Sequence, residues 1–221
     1  GMGLIQQYLP RAAVPTITVF NSLNWSRSGL VVVYIDHEML DRSRQFQLLD
    51  EADRVAEAQL VGSREDGSYW GIWVENVPPA GYKTYRITQT GETSTMPGKW
   101  DFNGLFENEF YKFEINQQRG TVQSLVDKQL GIELVDPKCP WQLGEFIYEQ
   151  LDNRSQMERF TSSRMDTVYK ELLGSKTPMK NIRVESGIEG PVWKSLFIHG
   201  ELPICADDRG ITCEIRLYKK E

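Results

Sequence analysis

Apolar and polar residues alternate with a period of two over much of the chain, a pattern that predicts β-strands. The alternation begins at Thr16 with Ile17 and Val19, and the continuous apolar run at 30–35 reads as a strand buried on both faces. Segments 68–75 and 82–87 are rich in aromatic and β-branched residues and are joined by Pro78, Pro79, Ala80 and Gly81, which predicts a hairpin. A second hairpin is predicted from 110–115 and 121–126, with Gly120 available for a positive φ. Alternation returns at 192–198 and 211–217, and this last strand is followed by no partner before the sequence stops. Residues 4–9 look helical and end at Pro10, while 166–173 fit a short helix or an edge strand equally well. Many short strands with turn signals between them make the expected fold class all-β, with stacked antiparallel sheets.

Between 88 and 103 the chain turns small and polar, with Gly91, Ser94, Pro97 and Gly98, the composition of a linker. The expected division is a linker or the tail of an upstream helical region at 1–15, a small β-sandwich at 16–90, a linker at 91–103, and a second all-β unit at 104–221. Gly1, Met2 and Gly3 read as the remnant of a cleaved tag before a start methionine. Together with the unpartnered last strand, they suggest a piece of a longer protein, truncated at its C-terminus. No repeat of fixed period occurs.

Composition narrows the function classes. The 221 residues include 25 Lys and Arg against 31 Asp and Glu, a formal net charge of -6, and no basic cluster longer than Lys219 and Lys220. A nucleic-acid partner is therefore not expected. No apolar run approaches the roughly 20 residues of a membrane helix, so the chain is expected to be soluble and to have no membrane partner, with its compartment unspecified. Cys139, Cys205 and Cys213 have no metal-ligand spacing; buried free thiols are the simplest expectation, with a cross-strand Cys205–Cys213 disulfide conceivable. Asn24 and Asn153 begin N-x-S tripeptides, a pattern too common to fix a compartment.

Candidate chemistry is sparse. His37 and His199 lack acidic or cysteine neighbours at ligand spacing, so no metal site is expected; His37 reads as a solvated turn residue and His199 as a hydrogen-bonded structural one. No nucleophile elbow, phosphate loop or dinucleotide fingerprint occurs, and no catalytic residue is assigned. Glu145 and Glu149 would share a face if 145–149 were one strand, the nearest approach to the paired carboxylates of glycoside hydrolysis. Aromatic rings stack on sugar faces, so the tryptophans are candidate sugar contacts. Trp70 and Trp73 fall on opposite faces of one strand and read as core, whereas Trp25 and Trp141 sit beside turn-like segments. The candidate substrate contacts are Trp25, Trp141, Tyr148 and Glu149.

Three phrases carry a family resemblance. VFNSLNWSRSGLV at 19–31 resembles the segment with which glycoside hydrolase family 38 α-mannosidases open their β-rich C-terminal region. LFENEFYKFEI at 105–115 with GTVQSLVDK at 120–128 is similar to the start of that family's large sandwich, and GPVWKSL at 190–196 to one of its strands. The resemblance implies that the second unit is the first part of a galactose-mutarotase-like β-supersandwich. It also implies that the nucleophile, the acid/base carboxylate and the zinc ligands lie in an N-terminal catalytic domain outside this sequence, with none carried over to a residue here. The expected role is then an accessory β-sandwich region of a retaining α-mannosidase, inactive alone, with its own catalytic domain as partner and glycans as possible ligands. The alternatives are an independent carbohydrate-binding module and, ranked lower, an aldose-epimerase-like domain, for which His199 is the one histidine near a usable strand.

Overall fold

The computed structural model describes residues 7, 9, 12–41, 43–93, 98–151, 175–203 and 210–220. Regular structure among them is all β, and it divides into two compact units. The segments 4–9 and 166–173, read above as helical and as helix or strand, lie outside the described residues except for positions 7 and 9.

Unit 1 comprises Gly1–Gly98 together with Glu189–Lys194 and Tyr218–Glu221. Its strands are β1 (Thr16–Asn21), β2 (Arg27–Asp36), β3 (Arg44–Leu49), β4 (Val55–Ala56), β5 (Ala58–Ser63), β6 (Gly67–Val77) and β7 (Gly81–Thr93). One sheet has the order β1-β7-β3-β4 and the other β2-β6-β5, both antiparallel. Leu48, Tyr85 and Ile87 from the first meet Ile35, Ile72 and Val74 from the second in a shared core, which makes a sandwich.

The hairpin predicted across Pro78 and Pro79 does not form. β6 pairs with β2 and β5, whereas β7 pairs with β1 and β3, so the connection crosses from one sheet to the other. Two consecutive prolines carry no N–H to close a ladder. The turn is held instead from outside, by Ala80 N donating to Leu23 O at 2.7 Å and by Asn21 Nδ2 donating to Val77 O and Pro78 O, each at 3.1 Å.

Residues 30–35 likewise depart from expectation. β2 is an edge strand with one covered face; Val32 is 52% exposed and Tyr34 41%. The strand buried on both faces is β6. Its Ile72 and Val74 enter the sandwich core, while Trp73, on the other face, packs with Leu30, Val61, Val192, Trp193 and Tyr218. Gly71 permits this cover, because a Cβ there would stand 2.7 Å from the Trp193 ring. Gln59, 2% exposed, secures the covering turn by accepting from Val192 N at 3.1 Å and Trp193 N at 2.9 Å. Gly190 has no room for a Cβ against the Gln59 amide. The apolar run at 30–35 is thus only partly roofed, since the roof arrives from residues far along the chain.

Unit 2 comprises Lys99–Ile188 and Ser195–Leu217. Here β8 (Leu105–Glu107), β9 (Tyr111–Asn116), β10 (Thr121–Asp127) and β11 (Ile132–Glu133) form a sheet in the order β11-β10-β9-β8. β12 (Ile147–Gln150) pairs with β13 (Ser175–Pro178), and β14 (Lys180–Glu189), β15 (Trp193–Glu201) and β16 (Ile211–Tyr218) form a third sheet in chain order. The last strand therefore has a partner, β15, which precedes it. Phe106, Ile115 and Val122 from the first sheet bury against Leu196 and Leu217 from the third. The predicted β9–β10 hairpin is present with Thr121 opposite Asn116 and Gly120 at φ 64°.

Candidate functional site

A half-open polar depression of about 200 Å³ lies in unit 1 between the β3–β4 turn and the adjoining ends of β6 and β7. Its first wall is the turn itself. Asp50, 9% exposed, accepts from the amides of Ala52 and Arg54 through Oδ1, both at 2.9 Å, and from the Arg54 guanidinium through Oδ2. The backbone hydrogen bond from Arg54 is the main reason its carboxyl sits below the usual range. Asp53, at φ 57°, completes the tight turn.

The opposite wall is an ion-paired cluster. Lys220 Nζ lies 2.7 Å from Glu75 Oε1 and 3.7 Å from Glu57 Oε2, and Lys83 Nζ donates to Glu75 O at 2.5 Å. The hydrogen bond they share lowers the Glu75 carboxyl and raises the Lys220 ammonium. Glu57 Oε2 is itself buried and accepts no hydrogen bond; 3.7 Å from Lys220 is ionic proximity only. Trp73 and Tyr85 form the floor, and burial pushes the Tyr85 phenol up. Reading the sequence missed this cluster altogether. Its charges come from Asp50 to Lys220 with no local spacing to connect them, and Lys220 registered only as half of a basic pair.

None of the predicted sugar contacts lines this cavity. Trp25 belongs to unit 1, where Asn21 Nδ2 donates to its carbonyl at 2.6 Å and leaves the side chain 57% exposed. Trp141, Tyr148 and Glu149 belong to unit 2. Trp141 is half-buried in the loop before β12, and Tyr148 and Glu149, as neighbours on that strand, point to opposite faces. Glu149 is ion-paired with Lys176 at 3.6 Å across β12 and β13.

Glu145 and Glu149 do not form a carboxylate pair on one strand, because Glu145 precedes β12. Its buried carboxylate accepts from Arg119 Nη2 at 2.7 Å through each oxygen and from Gln142 N at 2.9 Å, which makes it a loop anchor. His37, expected to be solvated, instead bonds Ser68 Oγ at 3.0 Å and Glu65 O at 3.2 Å, tying two turns together. His199 is hydrogen-bonded to Thr212 Oγ1 at 3.0 Å and stacks on Phe197. Cys139 and Cys213 are free thiols, the latter raised by burial, and Cys205 lies outside the described residues. Among the described residues no three His, Cys, Asp or Glu side chains form a set able to hold a metal, and no helix is long and apolar enough to cross a membrane.

No family model matches the chain, and no curated protein matches it. Solved structures do. A protein in glycosyl hydrolase family 38 from Enterococcus faecalis is similar over 88% of this chain and 25% of its own, with a TM-score of 0.51 and 17% identity. An α-mannosidase from Enterococcus faecalis V583 is similar over 93% of this chain and 28% of its own, with a TM-score of 0.54 and 14% identity. This chain therefore spans about a quarter of the length of those proteins, and at such identities the likeness is one of fold: the all-β architecture read from the sequence is that of one stretch of these glycosidases.

Proposed function

We propose that the chain is an accessory β-sandwich region of a glycosyl hydrolase, of the retaining α-mannosidase type, which packs on and supports a catalytic domain elsewhere in a longer polypeptide. One observation carries this reading: nearly the whole chain finds its fold inside two glycosidases, yet it accounts for about a quarter of each. The second unit is read, on the phrases at 105–128 and 190–196, as the opening of a mutarotase-like supersandwich. Among the described residues no set of side chains fits zinc.

The role left to this chain is one of shape and surface. Exposed apolar side chains cluster around the short edge strand β11, with Leu130 in the turn before it 69% exposed, Ile132 in it 49% and Leu134 after it 53%. Incubating the purified chain with 4-nitrophenyl α-mannoside tests the assignment. Release of nitrophenol at the rate of the protein-free blank is expected, and turnover abolished by a point substitution within the chain would overturn it.

A further inference from the structure

We propose that Asn103 is a site of spontaneous covalent modification, at which the backbone nitrogen of Gly104 closes on the side-chain amide and the residue ends as isoaspartate or aspartate. The proposal goes beyond the accessory role and does not rest on it.

The sequence singles out the position. Ring closure brings the backbone nitrogen after an asparagine onto its Cγ, and a side chain on that next residue obstructs the approach. Asn103 is followed by glycine, whereas Asn76 precedes Val77 and Asn108 precedes Glu109. Gly104 also has open space around it, since a Cβ there would meet only Gln117 Nε2, at 3.8 Å.

The structure supplies the remaining conditions. Asn103 is exposed, so water reaches it. Gly104 N donates to no acceptor among the described residues, so no hydrogen bond has to break before it attacks. Leu105 N donates to Asn103 Oδ1 at 3.2 Å, which folds the side chain back over its own backbone and polarises the Cγ carbonyl. As Oδ1 gains negative charge in the tetrahedral intermediate, that N–H is already aimed at it. Packing fixes the turn from both sides: Phe102 meets Trp100 edge-on at 5.6 Å, and Phe106 is fully buried.

Asp66 also precedes a glycine, Gly67, and lacks these conditions. The Tyr34 hydroxyl donates to Asp66 Oδ1 at 2.6 Å and holds the carboxyl below its usual range. An ionised carboxylate is a poor electrophile, and Gly67 is packed against the Tyr34 ring and the Ile35 carbonyl.

In the reaction Gly104 N loses its proton and bonds to Asn103 Cγ, the Cγ–Nδ2 bond breaks, and Nδ2 leaves as ammonia with that proton. Water then opens the succinimide at either carbonyl. Attack at Cγ gives aspartate; attack at the main-chain carbon gives isoaspartate, whose backbone runs through the side-chain methylene. Either product adds a negative charge to a chain of net charge -6. Isoaspartate also lengthens the main chain just before the edge strand β8, where Gly104 O accepts from Ile115 N at 3.2 Å.

The test is incubation of the full chain in mildly alkaline buffer, native and unfolded in urea, followed by tryptic mapping with fragmentation that distinguishes isoaspartate from aspartate. Peptide 100–112 carries Asn103 and Asn108 together, so the second serves as an internal control. Native chain should convert Asn103 at least about tenfold faster than Asn108, and no more slowly than the unfolded chain does. Gly104→Ala should slow conversion at Asn103 by at least about tenfold, and the native-to-unfolded comparison in the parent chain decides the matter if that variant fails to fold. The proposal is overturned if Asn108 or Asp66 is modified as fast as Asn103, if folding protects Asn103, or if a folded Gly104→Ala chain converts like the parent. Turnover of the α-mannoside would overturn the accessory role and leave this result standing.

Discussion

Asn21 converges on three carbonyls with one amide group, those of Trp25, Val77 and Pro78, and its own Oδ1 accepts from Leu23 N at 3.1 Å. It is 8% exposed, so its removal would leave buried carbonyls unsatisfied. Asn21→Ala should lower unfolding free energy by about 2 to 3 kcal/mol, and Asn21→Asp by more, because an acceptor would then face three others; urea denaturation would measure both. The same accounting applies to other residues in the phrases that resemble family 38. Asn108 Oδ1 accepts from the amides of Phe110 and Tyr111, Asp127 Oδ1 from those of Gln129 and Leu130, and Ser124 Oγ donates to Glu133 at 2.5 Å. Lys128 reaches Asn108 O at 2.5 Å and Glu107 at 2.9 Å. These are turn-making and strand-fixing roles, which is why the phrases speak for a fold and are silent on chemistry.

Among the elements, those legible in the sequence are the ones whose determinants are local. The β9–β10 hairpin is written in its own turn, where Asn116 caps the amides of Gln118 and Arg119 and Gly120 supplies the left-handed φ. Gly120→Ala should cost about 1 to 2 kcal/mol for the backbone, plus a steric penalty, since its Cβ would stand 2.7 Å from Ile198 Cγ2. Gly131→Ala, also at positive φ but facing open space, should pay the backbone cost only. A larger loss of melting temperature for the first variant checks the difference. The β6–β7 connection was illegible as a sheet crossing, because strand partners are chosen by tertiary packing; the missing donors of Pro78 and Pro79 were its one local sign. The first half of β14 is legible in the sequence, where Ile182 and Val184 alternate with exposed Asn181, Arg183 and Glu185. The cavity could not be found by spacing, since its groups meet only after both sheets of unit 1 have formed.

At the scale of the whole molecule, pH and surface make the testable differences. Glu75 is depressed and Lys220 raised by their shared hydrogen bond. The Glu75 contribution is present above the ordinary carboxylate pKa near 4.3 and is lost as pH falls through its lowered value. The Lys220 contribution is present below the ordinary lysine pKa near 10.4 and is lost as pH rises through its raised value. Melting temperature should thus hold a plateau between these limits, and Lys220→Met should flatten both shoulders. At β11 and the residue that follows it, Ile132→Lys with Leu134→Ser should reduce self-association of the isolated chain in light scattering while leaving its melting temperature within a few degrees, because both side chains are half exposed. Trp193→Ala, by contrast, should cost about 3 to 5 kcal/mol, since it strips the cover from Gly71 and Trp73.

That cover has a consequence for synthesis. Gln59 waits for the amides of Val192 and Trp193, which follow it by 133 and 134 residues. A ribosome adding roughly 5 to 20 residues per second needs on the order of ten seconds to deliver them. Throughout that interval Leu30 and Trp73 remain wet on a sheet whose other face can already close. The nascent polypeptide therefore passes through a sticky stage of fixed duration, and its yield should depend on translation speed and on chaperones that shield the outer face of β6 until the roof is made.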